Sequence, residues 1–192
     1  MAAADRAVPA EGGVKLPATA YAVLGLLSFG RELSGYDLKK WADSSLRFFY
    51  WSPAVSQIYG ELKRLDRIGF VTSRDVPQDE LRNKRVYRIT DAGRAALTTW
   101  VEQDDVEPPV LKHSPLLRVW LGHLTNAERI RELLLTHRSN TEEMLEDARK
   151  AEASAHNNPD EWHYPELVTR FSMRHFEAEL QLVDALLAEL DD

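Results

Sequence analysis

The segment from residue 52 to residue 69 constrains the fold more than any other part of this chain. Ser52-Pro53 offers a capping serine followed by proline, the residue favoured at a first helical position, and Gly69 is typical of a helix end. Between them the apolar residues recur every three or four positions, which is the period of a helix with one buried face. We predict such a helix, with a core-facing stripe that consists of Val55, Ile58, Leu62, Leu65 and Ile68.

The opposite face of this helix is polar and carries a cluster of positive charge. Helical periodicity collects on it side chains that can form hydrogen bonds or meet phosphates. They are Ser56, Gln57, Lys63, Arg64 and Arg67, around Gly60 and with Tyr59 at the flank. Glycine inside a helix costs about 1 kcal/mol relative to alanine. Gly60 therefore either lets a partner approach the backbone or is a neutral substitution in a helix held by packing.

Two more helices are predicted before this one. Residues 19–29 are apolar on most sides, which indicates a helix at the centre of a core, and Gly30 suits its end. Ser34 and Asp37 have the spacing of a capping box. We therefore expect a second helix that begins here and runs to about Ser45.

A hairpin and a fourth helix are predicted after it. Residues 70–74 and 84–89 are rich in strand-forming residues and are separated by a polar loop. Thr90-Asp91 can cap a helix from about residue 92 to residue 103. The order of helix, helix, helix, hairpin and helix is that of a winged helix-turn-helix domain, which we assign to residues 17–103. Residues 1–16 before it are expected to form a flexible arm, without the apolar stretch of a signal peptide.

Charge is divided unevenly along the chain. Residues 14–103 hold fourteen basic and ten acidic residues, a net charge of +4, whereas residues 104–192 hold nine and nineteen, a net charge of −10. Such a difference hints that the first half contacts a polyanion. Residues 104–112, which are acidic and contain two prolines, are expected to form a linker to a second domain at 113–192. The absence of cysteine excludes disulfides and thiolate sites, and no apolar run approaches the ~18 residues of a membrane span, so we expect a cytoplasmic protein.

Several segments of the first half resemble one family of proteins. The resemblance rests on Gly35-Tyr36-Asp37-Leu38, Gln57-Ile58-Tyr59, Leu62-Lys63-Arg64-Leu65, Gly69-Phe70-Val71 and Lys84-Arg85-Val86-Tyr87-Arg88-Ile89-Thr90-Asp91-Ala92-Gly93. These stand in the order and at the distances found in the PadR family of transcriptional regulators. The second half is similar in pattern to the helical C-terminal domain of the longer members. The resemblance implies a cytoplasmic homodimer that binds a palindromic operator in double-stranded DNA, usually represses, and answers a small aromatic effector.

The basic helix face and the hairpin are the elements that a winged helix presents to a DNA duplex. We expect Gln57 to pair with adenine in the major groove, and Lys63 and Arg64 to meet phosphates. The predicted DNA-contacting residues are Tyr36, Ser56, Gln57, Tyr59, Lys63, Arg64, Arg67, Arg82, Lys84 and Arg85. A structural explanation stays open for each. The helix cations could pair with Glu61 and Asp66, the tyrosines could pack, and the hairpin cations could protect an edge strand.

Three further helices are predicted in residues 113–192. They open at Ser114-Pro115, at the capping box of residues 125–128, and at about Pro165. The two long helices carry heptad-like apolar seams, which require partner helices, so the fold class is mainly α with a coiled-coil-like dimerisation domain after the winged helix. The predicted dimerisation residues are Ile130, Leu134, Met144, Met173, Phe176, Leu180, Val183, Leu187 and Leu190. A second stripe widens the apolar arc of the last helix and consists of Val168, Phe171, Ala178, Leu182 and Leu186.

The second half also contains candidates for an effector pocket. Trp120, Trp162 and His175 could line a cavity for an aromatic compound, or the tryptophans could simply pack on the long helices. The six histidines show no metal-ligand spacing, and the chain contains no phosphate-binding loop and no catalytic motif. We therefore predict no metal, no cofactor and no enzymatic activity. The alternative function is a helical protein-interaction or adaptor module without sequence-specific DNA binding, which would leave the basic face and the hairpin unused.

Overall fold

The computed structural model describes residues 15–78, 81–106, 108–156 and 159–190. Most of these residues are helical, and the strands among them form a two-stranded antiparallel sheet. The predicted arm of residues 1–16 lies outside the described residues except for Lys15 and Leu16. Leu16 is buried, and its backbone N–H donates to the Tyr21 hydroxyl at 3.4 Å. The last position of that segment therefore belongs to the folded core rather than to an arm.

The chain divides into two compact units. The first takes in the described residues up to Lys39 together with Pro53–Asp105, and the second takes in Lys40–Ser52 and the described residues from Val106 onward. Sequence reasoning placed residues 40–52 in the winged helix domain, but the structure groups them with the second unit. Trp41 packs edge-on against Trp162, with ring centroids 5.8 Å apart, and Arg47 pairs with Asp147.

The elements of the first unit follow the predicted order. They are α1 (Ala18–Leu27), α2 (Gly35–Ser44, which crosses the unit boundary), α3 (Val55–Arg67), β1 (Val71–Gln78), β2 (Leu81–Ile89) and α4 (Asp91–Gln103). α1 is buried on most sides, as its composition predicts, and it packs against the apolar face of α3. Ile58, Leu62 and Leu65 of that face are fully buried. Burial of this stripe fixes which side of α3 is turned to solvent.

The capping box at the start of α2 is confirmed, but the predicted start of α3 is wrong. Ser34 and Asp37 exchange hydrogen bonds as a capping box requires. α3 instead begins at Val55, two residues after the predicted Pro53, because the Ser52 hydroxyl donates to Asp43 at 2.5 Å. The amide oxygen of Gln57 supplies the reciprocal half of a capping box and accepts the N–H of Ala54, the N-cap residue, at 2.8 Å.

The hairpin is longer than predicted, and the fourth helix begins where its cap indicates. The strands pair from Val71 opposite Ile89, and the register is irregular between Val76 and Gln78. Pro77 lies in this irregularity, where a missing N–H donor is tolerated, so the ladder continues beyond the residues predicted to form a loop. The hydroxyl of Thr90 caps α4 by accepting the Gly93 N–H at 3.0 Å.

Besides the end of α2, the described part of the second unit contains three helices and two short 3₁₀ turns. The helices are α5 (Ser114–Trp120), α6 (Ala127–Ala155) and α7 (Pro159–Glu189), and the 3₁₀ turns are Leu46–Phe48 and Gly122–Leu124. α6 and α7 run antiparallel, since Arg138 pairs with Asp184 and Arg170 with Glu152.

α5 and α6 begin within the predicted segments but with other capping residues, whereas α7 begins six residues before the predicted Pro165. His113 rather than Ser114 caps α5, and Asn126 caps α6 by accepting the Arg129 N–H. α7 begins at Pro159, the favoured first position, and continues through Pro165.

Part of the predicted dimerisation seam packs within a single chain. Ile130 and Leu134 of α6 form a buried cluster with Val183 and Leu187 of α7, so these four cannot face a second subunit. Met144, Met173, Phe176 and Leu180 are half-buried, and Leu190 is exposed. A heptad seam looks the same whether its partner helix belongs to the same chain or to another. The second stripe of α7 is the more exposed one, with Phe171 at 69% and Leu182 at 62%.

Candidate nucleic-acid interface

The solvent-facing side of α3 carries all the polar residues predicted for it. These five residues are exposed, as are Gly60 and Tyr59. Of the predicted opposite stripe, Ile58, Leu62 and Leu65 are packed into the core, whereas Val55 and Ile68 at its ends are exposed, so the prediction is wrong for these two. Ser56, Gly60, Lys63 and Arg67 stand at intervals of four, three and four residues, which places them in a nearly straight row along the helix. We call these four residues the basic row. Gln57 and Arg64 lie beside this row on one flank, and Tyr59 lies on the other.

The middle of the basic row is open because of Gly60. A Cβ atom built on Gly60 would meet no described atom within 4 Å. The fold itself therefore does not require glycine at this position. What glycine does provide is a bare stretch of helix backbone at the centre of an exposed cationic surface.

The cations of α3 differ in whether they already have a partner. Arg64 lies 3.4 Å from Glu61, as the structural explanation allowed. Lys63 and Arg67 form no ion pair with any residue that the structure describes. The predicted pairing of these cations with Glu61 and Asp66 therefore holds for Arg64 alone, and two positive charges of α3 remain available to a polyanion.

Gln57 has a role within the fold in addition to the predicted one. Its side-chain oxygen accepts the Ala54 N–H and so caps the first turn of α3. The side chain is exposed, and its amide NH₂ group makes no hydrogen bond to a described residue. An adenine contact that uses both ends of this amide would have to replace the cap. Its place in base recognition stays a prediction.

The hairpin cations are held against the same unit by carboxylates. Lys84 lies 2.8 Å from Asp37 and Arg85 lies 3.9 Å from Asp66, and the Arg85 guanidinium also donates to the Ser73 hydroxyl. Partial burial acts to raise the pKa of Asp37, but hydrogen bonds from Lys84 and Ser34 outweigh it and hold that pKa below its ordinary value. The side chain of Arg82 lies outside the described part of the chain.

Tyr36 and Tyr59 flank the start of α2. Tyr36 is 69% exposed, so packing does not account for it. Tyr59 lies with its ring over Gly35, where an added Cβ would come within 2.6 Å of the ring. Gly35 therefore decides how closely α2 and α3 approach, a role that sequence reasoning did not assign to it. The segment Gly35-Tyr36-Asp37-Leu38 includes this glycine, but only its contact with the Tyr59 ring shows why glycine is needed there.

The predicted effector residues do not come together. Trp120 at the end of α5 is 77% exposed, and Trp162 is packed against Trp41. His175 stands thirteen residues after Trp162 on α7, which separates them by about 20 Å along the helix. No single small cavity can therefore be lined by both. The structure instead has a cavity of about 370 Å³ between α5 and α6.

One group of side chains has the composition of a metal site, although sequence reasoning predicted none. Within the described residues, His113, His137 and Glu179 place their ligand atoms within 4.8 Å of one another. Partial burial acts to raise the pKa of Glu179, but hydrogen bonds from His137 and His113 leave it below its ordinary value. No sequence motif could have found this group, because His113 lies 66 positions before Glu179. Among the described helices, none is long and apolar enough to cross a bilayer.

Comparison with known proteins agrees with this architecture. Residues 23–99 match the family described as "Transcriptional regulator PadR-like family". The chain is 30% identical over 179 residues to the "Negative transcriptional regulator PadR" of Bacillus subtilis (strain 168), a match that covers 89% of this chain and 96% of the relative.

Two crystal structures of Bacillus subtilis PadR are similar over nearly their whole length. The complex with operator DNA has a TM-score of 0.70 and 29% identity, and covers 89% of this chain and 98% of that one. The complex with p-coumaric acid has a TM-score of 0.65 and 28% identity, and covers 90% and 98%. The family consists of regulators rather than enzymes. A winged helix with an exposed cationic α3, followed by a helical second unit and matched along most of the chain, means that this protein belongs to the PadR-like family of transcriptional regulators.

Proposed function

We propose that this PadR-like transcriptional regulator is a repressor that binds a palindromic operator as a homodimer and releases it when a small aromatic acid binds. The observation that carries the proposal is the exposed basic row of α3. Its supporting face is fully buried at Ile58, Leu62 and Leu65, so the row cannot turn inward without unpacking the core. Operator DNA is the ligand in the crystal structure of the similar Bacillus subtilis PadR.

The size and charge of α3 suit the major groove. Its thirteen residues span about 20 Å, and a helix fits into the roughly 12 Å width of that groove. Lys63 and Arg67 can bind phosphates without first breaking an ion pair with a described carboxylate. Lys84 and Arg85 would have to leave Asp37 and Asp66, so we infer that the hairpin adds less to the electrostatic part of binding than α3 does.

A homodimer accounts for the apolar surface left on α7. Phe171 and Leu182 are the most exposed large residues of the second stripe, and they stand eleven positions apart, which is three helical turns. Pairing of two such stripes would bury them. A two-fold dimer would also place two copies of α3 on successive turns of DNA, about 34 Å apart, as a palindromic operator requires.

The effector is proposed from the relative that binds p-coumaric acid. Of the two predicted tryptophans, Trp162 is the one that the structure describes next to another aromatic ring, that of Trp41, against which a planar ring could insert. Titration of the protein with p-coumaric acid should quench tryptophan fluorescence, and Trp162→Phe should reduce the quenching. Equal quenching in both proteins would remove Trp162 from the effector site. Because the target is chromosomal DNA, we propose that the protein works in the cytoplasm.

The salt dependence of DNA binding tests the central proposal. A duplex selected from a random pool by the wild-type protein is titrated with Lys63→Ala/Arg67→Ala between 50 and 200 mM salt. Loss of two phosphate contacts should reduce the slope of log K against log salt by about 1.8. Between 50 and 200 mM salt, the fall in the variant's binding constant should therefore be about twelvefold smaller than the fall in the wild type's.

The matched control removes the same charge elsewhere. Lys112 and Arg118 are exposed cations of the second unit without an ion pair among the described residues. Lys112→Ala/Arg118→Ala should keep the wild-type slope. If the two double variants lose slope equally, α3 is not the DNA-binding surface. A wild-type protein that selects no sequence at all would favour the adaptor function instead.

A further inference from the structure

Three side chains from different parts of the second unit converge on one point. His113 precedes α5, His137 lies on α6 and Glu179 lies on α7. The Nε2 atoms of the two histidines lie 2.8 Å and 2.9 Å from the same carboxylate oxygen, Oε1 of Glu179. The side chains are 14%, 17% and 16% exposed, so the cluster is largely but not fully shielded from water.

We propose that His113, His137 and Glu179 bind one divalent transition-metal ion, with Zn²⁺ as the best fit. Two imidazoles and one carboxylate are a donor set that zinc accepts, whereas Mg²⁺ and Ca²⁺ prefer all-oxygen ligands. All three residues belong to the second unit, whereas the proposed DNA-binding face belongs to the first.

To admit the ion, the three ligand atoms have to adopt the spacing of a tetrahedral site, and any separation at the 4.8 Å limit would close by about 1.5 Å. Tetrahedral ligands at 2.0–2.1 Å from zinc lie about 3.3 Å from one another. The two Nε2–Oε1 separations would therefore open by about 0.4–0.5 Å. All three ligand atoms already lie within 4.8 Å of one another, so no backbone element has to be recruited from elsewhere.

The fourth coordination position is assigned to water, because one of the three ligands borders a cavity. His137 forms part of the wall of the 370 Å³ cavity between α5 and α6, together with Ser114, Thr136 and Asn140. The cavity is wide enough to hold water, which can complete a site with three protein ligands. We therefore expect a metal ion with three protein ligands and one exchangeable position.

Proton positions link this site to the start of α5. The Leu116 N–H donates to Nδ1 of His113 at 3.1 Å, so in the neutral ring the proton is on Nε2 and is donated to Glu179. A metal ion needs the lone pair of Nε2, and the proton must then move to Nδ1. An Nδ1–H cannot accept from Leu116. Metal binding therefore removes the cap of α5, and the loss of a cap lowers metal affinity by about fivefold.

The same linkage predicts a signature that a hydrogen-bonded cluster without metal would lack. When the ion binds, the Leu116 amide loses its acceptor and should exchange with solvent faster. The rest of α6 and α7 should exchange no faster than before, because their packing is unchanged. Hydrogen exchange at Leu116 thus reports on the position of the His113 proton.

The experiment is a titration of the full chain with ZnCl₂, followed by calorimetry and by competition with a chromogenic chelator. We expect one Zn²⁺ per chain with a micromolar or lower Kd. His137→Gln keeps an N–H donor for Glu179, and Glu179→Gln keeps an acceptor for both histidines, so either variant can preserve the packing. Each should weaken Zn²⁺ binding at least tenfold, with circular dichroism to confirm the fold.

The matched control is the other histidine and carboxylate pair of this unit. His156 lies 3.3 Å from Glu166 and is largely exposed, and no second histidine belongs to that pair in the described residues. His156→Gln should leave Zn²⁺ binding unchanged. The proposal is overturned if the wild type does not saturate at 1 mM Zn²⁺, if His137→Gln binds like the wild type, or if Zn²⁺ leaves the Leu116 exchange rate unchanged. DNA binding is not measured, so these outcomes are independent of the proposed function.

Discussion

Replacement of Gly60 by alanine should separate the contribution of this position to the stability of α3 from its contribution to DNA binding. Gly60 lies inside the helix with a helical backbone, and an added Cβ meets no described atom within 4 Å. The substitution then brings only the gain in helix propensity, about 1 kcal/mol. For a chain of 192 residues this corresponds to a rise in Tm of about 2–4 °C.

Thermal unfolding of both proteins at the same concentration measures this effect, since the stability of a dimer depends on concentration. Gly69→Ala is the control, because it makes the same substitution at a position where the backbone is left-handed rather than helical. Gly69 ends α3 with a φ of 78°, where a Cβ costs about 1–2 kcal/mol. We expect Gly60→Ala to raise the Tm and Gly69→Ala to lower it.

The DNA-binding result of Gly60→Ala shows what the bare backbone is for. If α3 approaches the groove along the basic row, a methyl group at its centre should weaken operator binding at least tenfold while the protein becomes more stable. A lower Tm for Gly60→Ala would show that the added methyl group is not accommodated in open space as the structure indicates. Unchanged operator affinity would show that Gly60 is a neutral substitution.

The remaining predictions concern the surroundings of α3. Gln57→Glu keeps an acceptor for the Ala54 N–H and should be as stable as the wild type, whereas Gln57→Ala should lower the free energy of unfolding by about 1 kcal/mol. Both variants should lose preference for the selected operator over random DNA, and an unchanged ratio of the two affinities would rule out base reading by Gln57. Gly35→Ala should displace the Tyr59 ring and weaken operator binding. Gly25→Ala in α1, where an added Cβ meets no described atom within 4 Å, is the control and should keep wild-type affinity; wild-type affinity of Gly35→Ala would contradict the prediction. Asp37 has a lowered pKa, so its contribution to stability is present above its ordinary value of 3.8 and is lost as the pH falls through the lower value in the folded state. Denaturant unfolding between pH 6 and pH 2 should therefore show Asp37→Asn less stable at pH 6 and equal to the wild type at pH 2, and a constant difference would refute this.

Periodicity and caps predicted the first unit well because both act between near neighbours. The apolar stripe of α3 repeats every three or four residues, and the structure buries its middle residues Ile58, Leu62 and Leu65 as expected. Val55 and Ile68, at the two ends of the predicted stripe, are exposed instead. The cap at Thr90 and the box at Ser34 and Asp37 also depend only on residues three positions apart. The start of α3 was misplaced because Ser52 has a competing partner, Asp43, nine positions away.

The seams of the second unit show where such patterns stop being sufficient. Ile130 and Val183 were predicted to meet a second subunit, and they meet each other instead. An apolar seam specifies that a partner helix is needed but not which chain supplies it. Likewise, Trp162 and His175 share an aromatic composition typical of a pocket, but one helix holds them about 20 Å apart.

The sequence by itself determined which elements form, which face of α3 is apolar and which is cationic, and the family to which the chain is similar. Those properties follow from side-chain spacing and local hydrogen bonds, which a linear pattern contains. Only the tertiary structure decided that Lys84 is paired with Asp37 while Lys63 has no carboxylate partner among the described residues, and that His113, His137 and Glu179 meet. Such contacts join residues separated by 42 to 66 positions. They depend on how whole helices pack, and no local pattern encodes that packing.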